Sequence, residues 1–408
     1  MGSFDTGNTG FMLLATSLVM LMTPGLAFFY GGLVGRKNVL TIMMQSFVSM
    51  GWTTMLWYFF GFSLCFSGDL AHGTDYAGII GNFDMAFLSG ITVHTKFAVS
   101  NIPMWVFCAY QMMFAIITPA LITGAFTNRV RFPAYLVFLT VWLLFVYFPF
   151  VHMIWGGGLL AKWGVLDFAG GIVVHAIAGM AALASVFFVG RRRVSDPGMH
   201  SIPLVALGTG LLWFGWYGFN AGSELAVDGV TAQAFINTDV AASFAGIAWL
   251  LMAWIFEKKP KFVGLLTGAV AGLATITPCA GFVTIHSAVI IGIVAGLVCY
   301  GAITLKNKLH WDDALDVWGV HGVGGIIGTI MLGIFATKAV NANGADGLIH
   351  GGGAFFGKQV AAVLGAAVYA FVFSYGALWL INKFTAVHTT EQEEQGLDEA
   401  LHGESAYI

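Results

Sequence analysis

Two histidines stand where imidazole is expensive to bury. His175 lies in DFAGGIVVHAIAGMAALASVFFVG, residues 167–190, an apolar, glycine-rich run opened by Asp167. His321 lies in LDVWGVHGVGGIIG, five residues after Asp316. Imidazole can donate from one ring nitrogen and accept at the other, relay a proton, or ligate a metal. A single buried histidine is often a core residue bonded to a nearby carbonyl, yet an ionisable residue inside a membrane marks a site by default. A symmetric pair weakens the packing reading further. Two chemistries remain: axial ligation of a haem, or the lining of a permeation path. A second haem would need a second pair, and His152 and His286 sit near span ends instead. The flanking glycines also fit close helix packing. Asp167 has a simpler role open to it, as the N-cap of its helix.

The elements that must position these residues are membrane spans. Of 408 residues, 58% are hydrophobic and 9% charged, against about 25% charged in soluble domains. Such a chain cannot cover itself with charge in water, so lipid is the solvent for most of it. Glycine numbers 54, roughly double the usual share. The net charge of −3 offers nothing to a nucleic acid. Cys65, Cys108, Cys279 and Cys299 are scattered without metal spacing and read as packing residues.

Apolar windows of about 20 residues mark candidate spans. They fall at 10–33, 40–66, 99–126, 134–153, 167–190, 202–222, 239–257, 263–281, 285–305, 317–337 and 359–384, eleven in all. The first ten residues carry no Lys or Arg, so the first window reads as a span rather than a secretory signal. An odd count puts the termini on opposite sides. With the N-terminus outside, 13 of the 17 Lys and Arg fall inside and 4 outside, which makes the C-terminus cytoplasmic. Five spans, five spans and one extra suggest duplication, with the halves inverted. At 1.5 Å per residue His175 lies about 12 Å below its helix start, with His321 at similar depth from the other face. Both approach the midplane of a core about 30 Å thick.

The predicted architecture is an all-α polytopic membrane protein with eleven transmembrane helices, two inverted five-helix repeats plus a C-terminal helix. Residues 1–384 form the membrane domain, with halves 10–190 and 202–337 and a final helix 359–384. Residues 385–408 form a tail holding six acidic residues and no Lys or Arg, the composition of a solvated end.

Several long segments carry a resemblance. DFAGGIVVHAIAG, WFGWYGFNAGS, ITPCAGFV and DVWGVHGVGGIIGT, with MLMTPGLAFFYGGLVGRKN near the start and GLDEALHGESAY in the tail, resemble the ammonium transporter (Amt/Mep/Rh) family over nearly the whole chain. The resemblance implies a multi-pass plasma-membrane homotrimer with one pore per subunit, no enzymatic activity and no cofactor. It implies an outer vestibule of Trp155, Ser223, Tyr110 and Asp167 that recruits ammonium or its analogue methylammonium. Phe114 and Phe219 would be stacked gating rings, and His175 and His321 the pore's twin histidines. Trp216 and Thr277 would lie along the conduction region. Tyr110 departs from the Phe often found there, and its hydroxyl adds a polar contact. In relatives the tail motif, here Gly396, Leu397, Asp398, His402, Gly403, Glu404 and Tyr407, belongs to an ordered cytoplasmic segment that packs under the trimer and couples to a PII-type signalling protein. The Rh branch generally lacks it, which favours the Amt branch. An ammonium sensor (transceptor) signalling through that tail is the second reading; a fused kinase or cyclase domain would favour it, and this sequence holds none.

The residue types suit the implied chemistry. Ammonium is a small cation that donates hydrogen bonds, which potassium cannot do. A Trp face attracts a cation by about 0.5–2 kcal/mol, and a Ser hydroxyl accepts from ammonium. A narrow apolar path penalises a bare cation heavily but not neutral ammonia. Neutral imidazoles in that path supply a donor, an acceptor and a relay for a separated proton.

Overall fold

The structure, a computed structural model, describes residues 4–68, 74–194 and 198–407. A helix stands at each of the eleven apolar windows. Ten are long and apolar enough to span a membrane: α1 (Thr6–Leu33), α2 (Val39–Phe66), α3 (Met104–Ile122), α4 (Phe132–Trp163), α5 (Gly171–Val189), α6 (Ile202–Glu224), α7 (Gly229–Glu257), α9 (Ile285–Lys308), α10 (Trp318–Phe335) and α11 (Gly353–Ile381). Between α7 and α9 stands the shorter α8 (Phe262–Ile276). Its window extends to 281, but the helix stops at Ile276 and turns follow. Pro278 accounts for the stop, since proline donates no N–H and its ring crowds the preceding turn. The freed Pro278 carbonyl accepts from Phe168 N–H at 3.2 Å. In the other direction, α7 begins ten residues before its window, capped by Asp228, which accepts from Val230 and Thr231 N–H. The window at 167, by contrast, opens early: α5 starts at Gly171, and Asp167 lies ahead of it.

Large apolar side chains such as Leu13, Phe214, Phe244, Trp254 and Val372 point outward and are exposed. In a membrane this surface faces lipid, so close contact between helices must come from small residues rather than from hydrophobic burial. The helix α1 lies along α6 in this way. A Cβ on Gly208 would sit 2.3 Å from Phe29 N, and one on Gly32 would sit 2.5 Å from Ser201 O. The tightest crossing is between α5 and α10. A Cβ on Gly179 would fall 2.0 Å from Gly322 N, and one on Gly325 would fall 2.6 Å from Ala176 N. Glycine at these places is what lets the two histidine-bearing backbones touch. The four cysteines are free and buried, in keeping with packing.

The acidic tail is ordered against the rest of the chain. Its carboxylates find partners on loops between helices. Glu393 pairs with Arg131 at 2.9 Å, and Glu394 accepts from Arg193 N–H at 2.8 Å. Asp398 caps α2: its oxygens accept from Leu40 N–H (3.0 Å), Thr41 N–H (2.8 Å) and the Thr41 hydroxyl (2.9 Å). The helix needs this because Asn38, at its own N-cap, makes no side-chain capping bond; Asn38 Oδ1 instead accepts from Leu397 N–H. Leu397 is fully buried, His402 packs edge-on to Phe132, and Gly403 takes a left-handed φ of 67°. Gly396 N–H bonds the Glu393 carbonyl, and Glu404 N–H reaches the Asp398 carbonyl. Tyr407 bonds His200 at 2.6 Å under the Arg36 guanidinium.

Candidate functional site

Two acids shape the entries of α5 and α10. The Asp167 carboxylate accepts from Gly170, Gly171, Ile172 and Val173 N–H, at 2.8, 2.7, 2.8 and 3.1 Å. These are the donors a helix start leaves without intrahelical partners. At α10 the sequence pointed to Asp316, but the acid in that position is Asp313, which accepts from Val317 N–H (3.1 Å) and Trp318 N–H (2.8 Å). Asp316 pairs with Lys306 instead, at 2.5 Å. The reassignment makes the spacing identical: each capping acid precedes its histidine by eight residues. Each histidine also sits in a π-helical turn, Gly171–Ala176 or Trp318–Gly322, a local widening that re-aims the side chain.

The two imidazoles meet. His175 Nδ1 lies 3.2 Å from His321 Nδ1, with ring centroids 5.2 Å apart and planes 24° from parallel. Both rings are buried. One Nδ1 must donate and the other accept, so the rings adopt opposite tautomers. His175 Nε2 has no partner among the described residues. Haem ligation would place iron between two nitrogens, whereas these are at direct hydrogen-bond distance.

Cavities lie on either side of the pair. One, of about 320 Å³, is walled by Phe114, Trp155, Asp167, Ser223 and Glu224 among others. Trp155 stands edge to face with Phe114, centroids 5.6 Å apart, and its indole N–H is tied to the Asp167 carbonyl at 2.8 Å. At the floor Phe114 and Phe219 overlap, with centroids 4.2 Å apart. Beneath them the space narrows to about 10 Å³, lined by apolar chains including Leu26, Ile117 and Leu212, by Trp216, and by both histidines. Trp216 stacks on His175 at 5.5 Å and donates to Thr277 Oγ1 at 2.9 Å. Past His321 a cavity of about 280 Å³ opens, lined by Tyr30, Asp316 and Val320. Arg192 at its edge pairs with Asp312 at 2.7 Å. Burial raises the Asp312 carboxyl, but Arg192 and Arg129 outweigh it and hold it below the usual range.

Most of the sequence-selected residues therefore converge on one line. Trp155, Asp167, Ser223 and Phe114 share the first cavity, and Phe219, Trp216, His175 and His321 follow in order. Two stand back from it. Tyr110 is fully buried behind the wall, its hydroxyl donating towards the Gly218 and Phe219 carbonyls, both at 2.9 Å. Thr277 holds Trp216 while its hydroxyl bonds the Leu273 carbonyl. Sequence reasoning missed Gln111 and Glu224 in the first cavity and Asp313 at α10. The eight-residue spacing was a usable signal for Asp313; nothing in the local sequence marks the other two.

The chain as a whole is similar to known proteins. Residues 10–407 match the family model described as Ammonium Transporter Family. An ammonium transporter of Bacillus subtilis (strain 168) is 46% identical over 407 residues, covering 98% of each chain. Ammonium transporter Amt1 of Archaeoglobus fulgidus is 42% identical, over 98% of this chain and 99% of the relative. Among solved structures, Saccharomyces cerevisiae Mep2 superposes with a TM-score of 0.88 at 34% identity, over 95% of this chain and 91% of that one. A structure described as a sensor Amt protein gives 0.87 at 30% identity, over 97% and 98%.

Proposed function

This chain belongs to the ammonium transporter family, as a multi-pass membrane protein, and from that premise we propose that it recruits ammonium in the Trp155 cavity and passes ammonia through the histidine-lined constriction. The observation that carries the reading is the His175–His321 contact at 3.2 Å inside an otherwise apolar channel. A lone buried imidazole would leave a ring nitrogen unpaired at a cost of about 1–3 kcal/mol. Here each ring satisfies the other and the pair keeps its remaining polar edges for what crosses.

The geometry supports the steps. The Trp155 face and the Ser223 hydroxyl favour a hydrogen-bond-donating cation. The overlapped Phe114 and Phe219 rings exclude a hydrated ion. In the constriction a bare cation loses its hydration with little in return, so neutral ammonia is the species that fits. The proton left behind is relayed by the imidazole pair, one ring taking it as the other gives. Asp167 acts by fixing the start of α5, since its oxygens are occupied by four N–H groups.

The fold carries further parts of the proposal. Equal acid-to-histidine spacing in α5 and α10, and the pairing of α1 with α6, support two inverted five-helix repeats with the site at their interface. The Lys and Arg bias supports an outside N-terminus and a cytoplasmic C-terminus. The protein works as a homotrimer whose docked tail, from Gly396 to Tyr407, is the contact for a PII-type partner. A sensor role is the second reading, favoured by the likeness to the sensor Amt structure and by the ordered tail.

The test is current and methylammonium uptake measured together on full-length protein in liposomes. His175→Ala with His321→Ala should keep the fold, abolish the current and leave at most a leak of neutral ammonia. Normal current with normal ammonium-over-potassium selectivity in that double variant would reduce the pair to packing and refute the reading.

A further inference from the structure

One acidic side chain in the first cavity has no structural task. Glu224 lines the same wall as Trp155 and Ser223. It follows Ser223 directly in a single 3-10 turn, Gly222–Glu224, closed by Leu225 in a left-handed conformation with φ of 60°. That turn places Ser223 and Glu224 together on the cavity wall. Among the described residues the Glu224 side chain makes no hydrogen bond or ion pair, although the residue is half-buried. The neighbouring acids are employed: Asp167 accepts four backbone N–H groups, and Asp228 caps α7. When ionised, a carboxylate held partly out of water without a partner creates a net negative potential in the space it faces. A concave wall with low-dielectric sides focuses that potential.

We infer that Glu224 is a recruiting carboxylate of the vestibule, raising the local concentration of small ammonium cations beside the Trp155–Ser223 pair. The inference rests on the transport reading above and adds a residue and a force to it. Division of labour follows from the chemistry. A carboxylate attracts any small cation, so Glu224 sets how many arrive, while Trp155 and Ser223 set which are kept. The interaction is Coulombic across a solvent-filled cavity, so added salt weakens it: the Debye length falls from about 30 Å at 0.01 M to about 8 Å at 0.15 M.

The experiment is methylammonium uptake by the full-length protein in liposomes at mildly alkaline pH, which keeps a carboxyl ionised, at 10 and 150 mM N-methylglucamine chloride, for wild type, Glu224→Gln and Glu224→Asp. For Glu224→Gln at low salt the expected result is a KM raised about three- to ten-fold, with the loss in KM rather than in maximal rate. Wild-type KM should climb with salt, the Gln variant should start high and stay flat, and the Asp variant should keep most of the wild-type salt response. A Gln variant matching wild type in KM at low salt overturns the inference alone, provided wild type transports. A wild-type KM indifferent to salt overturns it without any substitution. Wild-type liposomes with no ammonium-dependent flux would overturn the transport reading itself, and this inference with it.

Discussion

Replacing Asp167 by Asn separates charge from shape at the start of the histidine helix. In the native protein Oδ1 accepts from Gly170 and Gly171 N–H and Oδ2 from Ile172 and Val173 N–H, all between 2.7 and 3.1 Å. Asn keeps one oxygen, enough for Gly170 and Gly171. Its amide NH₂ then faces Ile172 and Val173, donor against donor. Two backbone N–H groups lose their acceptor in a site the residue itself buries to 6% exposure. At about 1–3 kcal/mol for each unsatisfied buried group, the cost is roughly 2–6 kcal/mol. Asp167→Ala strands all four and should cost more. The order of thermal unfolding midpoints in detergent should therefore be wild type, then Asn, then Ala. Uptake should fall in the same order, because loosening the first turn of α5 moves His175 off its 3.2 Å contact. An Asn variant with the wild-type midpoint and wild-type uptake would refute the reasoning, since it would mean those N–H groups need no acceptor from residue 167.

Other expectations are narrower. Trp155→Leu removes the π face, and the lost 0.5–2 kcal/mol corresponds to a KM for methylammonium about 2- to 30-fold higher; unchanged concentration dependence would remove Trp155 from recruitment. Asp398→Ala uncaps α2 at a cost of about 0.5–2 kcal/mol and should expose the tail to limited proteolysis, while a tail as protected as in wild type would argue against the docking role. A chain ending at Thr390 should lose pull-down of a PII-type partner, and normal inhibition of that chain by the partner would count against the tail assignment. Acid should also undock the tail. Burial raises the Glu393 carboxyl, but Thr390 N–H and the Arg131 guanidinium outweigh it and hold it below its ordinary value. The stabilisation is therefore intact above about pH 4.3 and lost as pH falls through the lower native value; protection of residues 390–407 that survives well below that range would show the Glu393–Arg131 pair to be dispensable.

What could be read from the chain depended on the range of the signal. Spans were legible because lipid imposes a length and composition on each one separately, so all eleven windows hold a helix. Their ends were not, where a single residue decides them: Pro278 ends α8 early, and Asp228 starts α7 ten residues before hydropathy rises. The histidines were visible because imidazole in an apolar run is conspicuous. Asp313 was overlooked because Asp316 lies closer in sequence to His321, and only the fold tells which carboxylate turns toward Val317 and Trp318. Tyr110 fitted the pattern of a cavity residue, yet its hydroxyl is drawn back to two carbonyls of α6. Glu224 was silent for the opposite reason: what distinguishes it is a missing partner, and absence of contact leaves no mark in a sequence.

The cap on α2 has a consequence for how the chain is made. Thr41 and the carboxylate that holds its N–H are separated by 357 positions. At about 5–20 residues per second, that distance is roughly 20–70 s of synthesis. Throughout that interval the second helix is already emerging with its starting N–H groups dependent on water, while its cap has yet to be translated. A stretch made 357 residues later thus completes a helix already inserted. A message cut short after the end of α11 at Ile381 but before codon 398 yields a protein with these eleven helices and an open helix end at the membrane surface, a defect that a protease can recognise and a finished chain does not present.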